Sequence, residues 1–345
     1  MRTFDQKKFQ HIIDRTAKEK LIHGSVFHVQ SLDKSVDLVA ASGNLHPRSN
    51  YFIASINKMM LSAITLRLCG QKILNWDDPL SKFFSSSQLQ DACIFKGTDY
   101  SDKITIHHLI SQTSGFRCYF IDKGSDGRRN MDRIRNGEDQ SWPLERVFQF
   151  MKRMELKFIP GSTGKANYSE INFRLIGAIL EKVLQKDLNL ILEDLFSELK
   201  MEQSFVLPAN AGRAIAPFYY KSKELKIDAY CKSSRHNICS NVFDQMKFIR
   251  AFFEGHFFPE GQIDGLKNWN NIFFPFKYGT GLQKFYIPKM LSPFKAVPEI
   301  IGHCGSIGSV AFYIPDKEFY VTGTVNQHAK PSAAFKILLK IVNAF

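Results

Sequence analysis

Apolar residues recur every three to four positions at both ends of the chain, which is the spacing of one face of a helix. In residues 4–20 this face holds Phe4, Phe9, Ile12 and Ile13. Residues 332–345 show the same spacing, with apolar side chains at positions 335, 337, 338, 341 and 342. The sequence therefore predicts a helix at each end of the chain.

Short runs rich in β-branched and aromatic residues lie next to both predicted helices and come in pairs. The first pair covers residues 25–30 and 35–40, and the second covers 309–314 and 318–325. The turn of the second pair, Pro315-Asp316-Lys317, suits a tight reversal because proline fixes φ and aspartate bonds locally to the backbone. We expect two hairpins that bring the chain ends together on one antiparallel sheet.

The middle of the chain has a different pattern, in which helical spacing dominates. Residues 59–69, 144–156 and 171–197 repeat apolar positions at helical intervals. Residues 256–300 are rich in aromatic side chains but follow no regular pattern. We therefore expect an α+β fold in which an antiparallel sheet, flanked by the N- and C-terminal helices, receives a mostly helical insertion.

The predicted elements divide the chain into two parts, for which 345 residues are sufficient. Residues 1–60 and 205–345 are expected to form a discontinuous domain around the sheet. Residues 61–204 are expected to form the helical subdomain. The active site is predicted at the interface of the two parts.

The net charge of +13 favours anionic partners. The basic residues are nevertheless spread along the chain, and the densest group, Arg128, Arg129, Arg133 and Arg135, alternates with acidic residues. No nucleic-acid-binding motif accompanies it, so a solvated basic surface is favoured over a dedicated polyanion site. The expected partner is a small-molecule or peptide substrate, no nucleic acid is expected, and the oligomeric state is left open.

No run of eighteen apolar residues occurs, so a membrane-spanning helix is not expected. Residues 1–20 carry many charges and no long apolar block, which is unlike a secretory signal. Two interpretations of the localisation follow. The protein is cytoplasmic, or it is a secreted or periplasmic protein whose signal has been removed.

The cysteines offer little support for a zinc or redox site, because none of them forms a C-x-x-C pair. Free, mostly buried thiols are expected instead, and neither a metal ion nor a cofactor is predicted. The six cysteines are Cys69, Cys93, Cys118, Cys231, Cys239 and Cys304.

A serine and a lysine stand at the start of a helix that is apolar on nearly every side, as expected of a buried helix. Ser55 and Lys58 are three residues apart and so face the same way. A serine hydroxyl needs a base to take its proton, and a desolvated lysine can serve as one. The helix N-terminus would help to stabilise an oxyanion. The alternative is that Ser55 caps the helix and Lys58 is a surface charge.

Two further segments carry candidate chemistry. Tyr168 lies between a polar loop and an apolar helix, where it could act as a general base, as phenolate or hydrogen-bonded to Lys58. Alternatively it is a half-buried aromatic with a solvated hydroxyl.

The second segment, residues 302–309, is rich in small residues that let a strand approach a ligand closely. The backbone N–H of Ser306 could pair with that of Ser55 as an oxyanion hole. His303 could bind a substrate carboxylate or support proton transfer. Alternatively, it is a strand-end histidine held by a structural hydrogen bond.

These motifs together resemble the β-lactamase-related serine hydrolases, a family that includes class C β-lactamases, D-alanyl-D-alanine carboxypeptidases and esterases. Ser55–Lys58 is similar to the family's S-x-x-K, Tyr168–Glu170 to its Y-x-N, and His303–Gly305 to its K-T-G or H-x-G triplet. Flanking segments at 104–116, 158–161 and 278–282 agree, so the resemblance covers residues 21–326. It implies acylation of Ser55, proton handling by Lys58 and Tyr168, and substrate or oxyanion contacts from Glu170, His303, Gly305 and Ser306.

Three positions depart from the family's pattern. Glu170 replaces the asparagine of Y-x-N, His303-Cys304-Gly305 replaces K-T-G, and Gln112 replaces the usual histidine of H-T-S-G. A carboxylate at position 170 accepts hydrogen bonds only and stabilises a charged Lys58. We expect hydrolysis of a small ester, amide or D-amino-acid peptide. The alternatives are a β-lactamase proper and a catalytically weak homologue that binds acyl or peptide ligands.

Overall fold

A computed structural model describes residues 5–124, 126–136, 138, 141–208, 212–227, 237–288, 290 and 297–344. Predictions that concern Phe4, Cys231, Phe345 and part of the segment 256–300 therefore lie outside the described residues.

An antiparallel sheet of eight strands forms the centre of the fold. The strands of the chain are β1 (Gly24–Ser31), β2 (Asp37–Gly43), β3 (Tyr51–Phe52), β4 (Ile94–Phe95), β5 (Thr98–Asp99), β6 (Phe205–Val206), β7 (Phe218–Tyr220), β8 (Lys223–Leu225), β9 (Ile238–Ser240), β10 (Asn270–Phe273), β11 (Phe276–Tyr278), β12 (Gln283–Phe285), β13 (Ile300–Cys304), β14 (Ser309–Ile314) and β15 (Phe319–Thr324). In the eight-stranded sheet they follow the order β10-β11-β12-β13-β14-β15-β1-β2.

Strands from the two ends of the chain lie side by side in this sheet, one strand in from its β2 edge. Strand β1 pairs with β2 on one side and with β15 on the other, so that Val29 lies opposite both Leu38 and Val321. Strands β14 and β15 form the second hairpin around the turn Pro315–Lys317. Both predicted hairpins are confirmed, and so is the α+β class with one antiparallel sheet.

The helices surround the sheet and fill the segment between β2 and β9. They are α1 (Gln6–Ala17), α2 (Asn57–Gly70), α3 (Ser86–Leu89), α4 (Ile106–Ile110), α5 (Asn130–Arg135), α6 (Leu144–Lys152), α7 (Glu170–Leu184), α8 (Leu188–Glu198), α9 (Val242–Phe253) and α10 (Ser332–Ala344). Among the described residues, no helix is both long and apolar enough to cross a membrane.

Two predicted helical segments differ from the observed elements. The pattern over 171–197 covers two helices, α7 and α8, because Gln185 adopts a left-handed φ of 49° and the Asp187 side chain caps the next helix. The pattern over 144–156 ends at Lys152. Leu156 instead donates its N–H to the carbonyl of Ile94, which fixes the chain as an extended connection.

The sheet separates two hydrophobic cores, as its two-residue alternation requires. On one face Phe27 and Val29 pack with the terminal helices through Phe9, Ile337 and Leu338. On the other face Val26 and Tyr320 belong to a larger core that includes helices α2 and α9. The candidate site lies on this second side, where α2 begins beside the end of β13.

Candidate active site

Ser55 lies in a single 3₁₀ turn, Ala54–Ile56, that leads directly into α2. Ala54 has a φ of 50°, in the left-handed region that residues with a β-carbon rarely occupy. Residues 57–66 that follow are all buried. The local fold therefore places a partly accessible serine at the N-terminal end of a buried helix.

Lys58 connects Ser55 to a distant part of the chain. Its Nζ atom donates to Ser55 Oγ at 3.1 Å and to Glu170 Oε1 at 2.7 Å. The residue is only 2% exposed, whereas the Glu170 side chain is 15% exposed. A buried ammonium is stable only with a charged partner, so Glu170 holds Lys58 in place beside Ser55.

Glu170 is the first residue of α7, and the residue before it fixes its position. The Ser169 side chain caps α7, accepting from the N–H of Ile171 and donating to the carbonyl of Arg117. The N–H of Ser169 donates to Gln112 Oε1 at 2.9 Å, and that of Glu170 to Cys118 Sγ at 3.4 Å. The hydrogen bonds from segment 112–118 therefore fix the position of Tyr168 and Glu170 in the site.

Tyr168 packs beside the Ser55–Lys58 pair. The Lys58 Nζ atom lies 5.4 Å from the centre of its ring. Burial, together with the charge of Glu170, raises the pKa of Tyr168 well above its ordinary value of 10, and a hydrogen bond with Ser55 opposes this rise. Of the two forms considered from the sequence, the neutral phenol is the one that this environment favours.

His303 is completely buried behind Tyr168. Its Nε2 atom lies 3.3 Å from the Tyr278 hydroxyl and its Nδ1 atom 2.9 Å from the carbonyl oxygen of Cys304. Burial, and to a smaller extent the charge of Lys58, lowers its pKa to about 3. A neutral, enclosed imidazole with two internal contacts favours the structural interpretation of His303 over contact with a substrate carboxylate.

The turn after β13, which begins at Gly305, packs closely against the turn that holds Ser55. A β-carbon on Gly305 would lie 2.5 Å from the Ile53 carbonyl oxygen and 2.2 Å from Ser309 Oγ, so only glycine fits. Ser309 Oγ donates to the same Ile53 carbonyl at 2.7 Å. This close approach brings Ser306 to the cleft that Ser55 also lines.

One narrow cleft joins the predicted residues, with a volume of about 30 Å³, which is enough for about one or two water molecules. Ser55, Lys58, Glu170 and Ser306 all line it. Tyr168 lies beside these residues, whereas His303 and Gly305 support the cleft without lining it.

Sequence reasoning missed several residues that line the cleft, and two of them, Phe120 and Asn237, lie far from the Ser55 motif. Neither belongs to a motif, and no local pattern could have identified them. It also left the role of Gln112 open. Gln112 Oε1 accepts from the N–H of Ser169 and from the Asn172 side chain. The polar character that the H-T-S-G and Y-x-N segments share was the one feature of the sequence that pointed to a contact between them.

The arrangement joins a serine hydroxyl, a lysine and a carboxylate by hydrogen bonds at the N-terminal end of a helix, and a group of this kind can carry out acyl transfer to a serine. Within the described ranges, no group of three or more histidine, cysteine, aspartate or glutamate side chains is placed to hold a metal ion. Cys69, Cys93, Cys118, Cys239 and Cys304 are free thiols.

Comparison with known proteins adds independent information. A family model described as Beta-lactamase matches residues 9–342. An N-acetylmuramyl-L-alanine amidase from Bacillus subtilis (strain 168) is 23% identical over 178 residues, which are 51% of this chain and 37% of that protein. The chain thus spans little more than a third of the length of that curated relative.

Two solved structures share the fold over nearly their whole length. The D-amino acid amidase from Ochrobactrum anthropi SV3 has a TM-score of 0.78 and 18% identity, with 98% of this chain and 100% of that chain covered. The D-stereospecific amidohydrolase from Streptomyces sp. has a TM-score of 0.74 and 21% identity, with 94% and 95% covered.

Proposed function

This chain belongs to the Beta-lactamase family, and from this premise we propose that it is a serine hydrolase with Ser55 as its nucleophile. The observation that carries the proposal is the position of Lys58 Nζ, 3.1 Å from Ser55 Oγ and 2.7 Å from Glu170 Oε1. A buried lysine with this pair of neighbours can move a proton between them, which a surface lysine at a capped helix cannot.

Activation of Ser55 begins with the ion pair. Transfer of one Lys58 proton to the Glu170 carboxylate leaves a neutral amine and a neutral carboxylic acid. The amine then takes the Oγ proton as Oγ attacks the carbonyl carbon of the substrate, and the carbonyl electron pair moves to its oxygen. In this scheme Glu170 is the final proton acceptor and Lys58 the relay.

The tetrahedral intermediate carries its negative charge on the former carbonyl oxygen. The backbone N–H groups of Ser55 and Ser306 are proposed to stabilise it, since both residues line the cleft. When the intermediate collapses, the bond to the leaving group breaks. Tyr168, held as a neutral phenol, donates a proton to that group, and the Lys58 ammonium replaces the proton on Tyr168.

Release of the acyl group repeats the sequence with water. The neutral Lys58 amine takes a proton from a water molecule as the water oxygen attacks the ester carbon. Collapse of this second intermediate returns Oγ as the leaving group, which takes the proton from Lys58. Transfer of the Glu170 proton back to Lys58 restores the ion pair, so one water molecule is consumed and no other reactant is needed.

The proposed substrates are small amides and esters, including amides of D-amino acids. The proteins of known structure that share this fold include two whose names describe D-specific amide hydrolysis. The small volume of the cleft beside Ser55 favours substrates with a small acyl group.

Covalent labelling tests the nucleophile. The purified chain is treated with a fluorophosphonate probe, and the modified peptide is identified by mass spectrometry. The expected result is one adduct on Ser55, absent from Ser55→Ala and retained in Ser86→Ala, a matched change on the exposed helix α3. An intact chain that no acylating probe modifies at Ser55 would contradict the proposal.

A substrate panel then tests the substrate class. Nitrophenyl esters of short acids, the amides of D- and L-phenylalanine, a D-Ala-D-Ala peptide and nitrocefin are compared on the same sample. We expect turnover of the short esters and of the D-amide to exceed that of nitrocefin. Preferred hydrolysis of nitrocefin would instead support a β-lactamase proper, and labelling without turnover would support a catalytically weak homologue.

A further inference from the structure

A second pocket, larger than the cleft beside Ser55, opens between the loop that follows Tyr119 and helix α6. Its volume is about 420 Å³, within the range of small-molecule sites, and it is lined in part by Tyr119, Lys123, Asn130, Trp142 and Arg153. Neither Ser55 nor any other residue of the proposed catalytic set lines it. The hydrolase mechanism therefore gives this pocket no role.

One wall of the pocket is aromatic. The rings of Tyr119 and Trp142 are stacked with centroids 4.3 Å apart, and Phe150 meets Trp142 edge-on at 6.0 Å. The Arg146 guanidinium lies 4.4 Å from the Trp142 ring. Each of these rings already packs against another ring or a cation, so the wall suits contact with a flat apolar group mainly through ring edges.

The rim of the pocket is positively charged. Arg128 and Arg133, which also line it, are neutralised by ion pairs with Asp126 and Glu138. Lys123 and Arg153 have no ion-pair partner among the residues that the structure describes. Two cations at one pocket that lack an ion-pair partner among the described residues favour a ligand with negative charge.

Buried donors without partners lie in the same wall. Within the described part of the chain, the Tyr119 hydroxyl and the Trp142 indole N–H are buried and accept or donate no hydrogen bond. Both residues line the pocket. An unpaired buried donor is costly, so this wall carries polar groups whose hydrogen-bonding capacity is unused among the described residues.

We propose that this pocket binds an aromatic anion, that is, a flat ring carrying a carboxylate or phosphate group. The aromatic wall contacts the ring, while Lys123 and Arg153 at the rim attract the charged group. The pocket is too small for a nucleic-acid strand or a folded partner, which limits the ligand to a small molecule or the end of a larger one.

Tryptophan fluorescence and calorimetry test the proposal. Trp142 is one of three tryptophans in the chain, so a ligand in the pocket should change the emission of the wild type but not of Trp142→Phe. Phenyl phosphate and benzoate represent the two sources of charge, benzylamine is a ring with the opposite charge, and inorganic phosphate is an anion without a ring. We expect saturable binding of at least one aromatic anion, and weaker binding of benzylamine and of inorganic phosphate. Equal affinity for benzylamine or for inorganic phosphate would overturn the proposal.

Charge variants of the intact chain locate the site. Replacing both Lys123 and Arg153 by glutamine should weaken the calorimetric affinity for the aromatic anion roughly tenfold or more. The matched double variant Lys7→Gln, Lys226→Gln removes the same charge from exposed positions elsewhere and should bind as the wild type does. Ser55→Ala should also bind normally. Loss of binding in Ser55→Ala, or unchanged binding in the Lys123 and Arg153 variant, would show that the ligand binds elsewhere.

Discussion

At the scale of single residues, we propose that the identity of residue 170 sets the chemistry that Lys58 can perform. Asparagine, which the related motif carries, could share hydrogen bonds with Lys58 but could not take a proton from it. The glutamate in this chain lies 2.7 Å from Lys58 Nζ and gives the buried ammonium a counterion. We therefore assign the acceptor role to a residue that departs from the family's pattern.

Replacement of Glu170 by glutamine tests this assignment. Glutamine keeps the shape and an oxygen that accepts from Lys58, but it cannot hold the proton. We expect kcat/KM for a nitrophenyl ester to fall roughly 100-fold or more. The exposed Glu193→Gln on α8 is the matched control and should remain fully active. Unchanged kinetics in Glu170→Gln would mean that Lys58 releases its proton by another route.

His303 makes a separate prediction about pH. Its pKa is 6.5 in the unfolded chain and about 3 in the folded protein, so between these values the unfolded chain binds the additional proton. The stability that a neutral His303 contributes is complete above pH 6.5 and is lost as the pH falls towards 3. Between pH 7 and pH 5 the loss is about 2 kcal/mol for this one group.

Urea unfolding of His303→Gln at the two pH values measures this loss. The variant should lose about 2 kcal/mol less than the wild type on acidification from pH 7 to pH 5. The readout is the difference in the free energy of unfolding between pH 7 and pH 5, because the substitution can also lower stability at both pH values. The exposed His46→Gln should follow the wild type. Parallel pH profiles for His303→Gln and the wild type would show that His303 does not cause the effect.

At the scale of elements, the site depends on three segments that begin or end at one place: the start of α2, the start of α7 and the turn after β13. The Ile53 carbonyl holds two of them together, because it accepts from Ser309 Oγ and leaves no space for a side chain at position 305. Gln112 holds the third through the N–H of Ser169.

Gly305→Ala tests the contact between the turn and α2. The added methyl group would lie within 3 Å of Ile53, Ala54 and Ser309, so the turn must move away from Ser55. We expect kcat/KM to fall at least roughly tenfold, since small displacements of catalytic groups reduce rates strongly. Gly70→Ala, where a β-carbon meets open space at the end of α2, should keep full activity. Equal activity of the two variants would mean that the cleft tolerates the displacement.

At the scale of the whole molecule, the sheet separates the chemistry from part of the core. The terminal helices α1 and α10 cover the face away from Ser55, and an ion pair of 2.8 Å between Glu19 and Lys330 joins the segments next to them. The core on this face supports the sheet without contacting the cleft. The division into residues 1–60 with 205–345 and residues 61–204 remains a prediction.

Leu338→Ala tests this separation of stability from activity. Leu338 is completely buried in the core between the sheet and the terminal helices, so truncation should lower the free energy of unfolding by about 2–5 kcal/mol. Turnover per folded molecule should stay at the wild-type level. Leu190→Ala, at a leucine that is 48% exposed, should change neither quantity much. A loss of turnover in folded Leu338→Ala would show that the two faces are coupled.

The sequence by itself determined the class of fold, the two hairpins and the terminal helices, and it supplied the candidate residues of the proposed site. Elements and faces follow from which positions are apolar, and this information is local, so spacing over a few residues was enough. Where the elements are very short, as in β10–β12, the spacing held too few positions to show a pattern. The join between α7 and α8 was missed because a single residue, Gln185, reverses the chain there.

Only the tertiary structure decided how these residues act on one another. Lys58 and Glu170 are 112 positions apart, and their 2.7 Å contact results from the packing of two helices that no local pattern relates. The burial that keeps Tyr168 and His303 neutral comes from surrounding elements, as does the placement of Phe120 in the cleft. The charge state and accessibility of a side chain depend on all the atoms around it, and those atoms come from the whole chain.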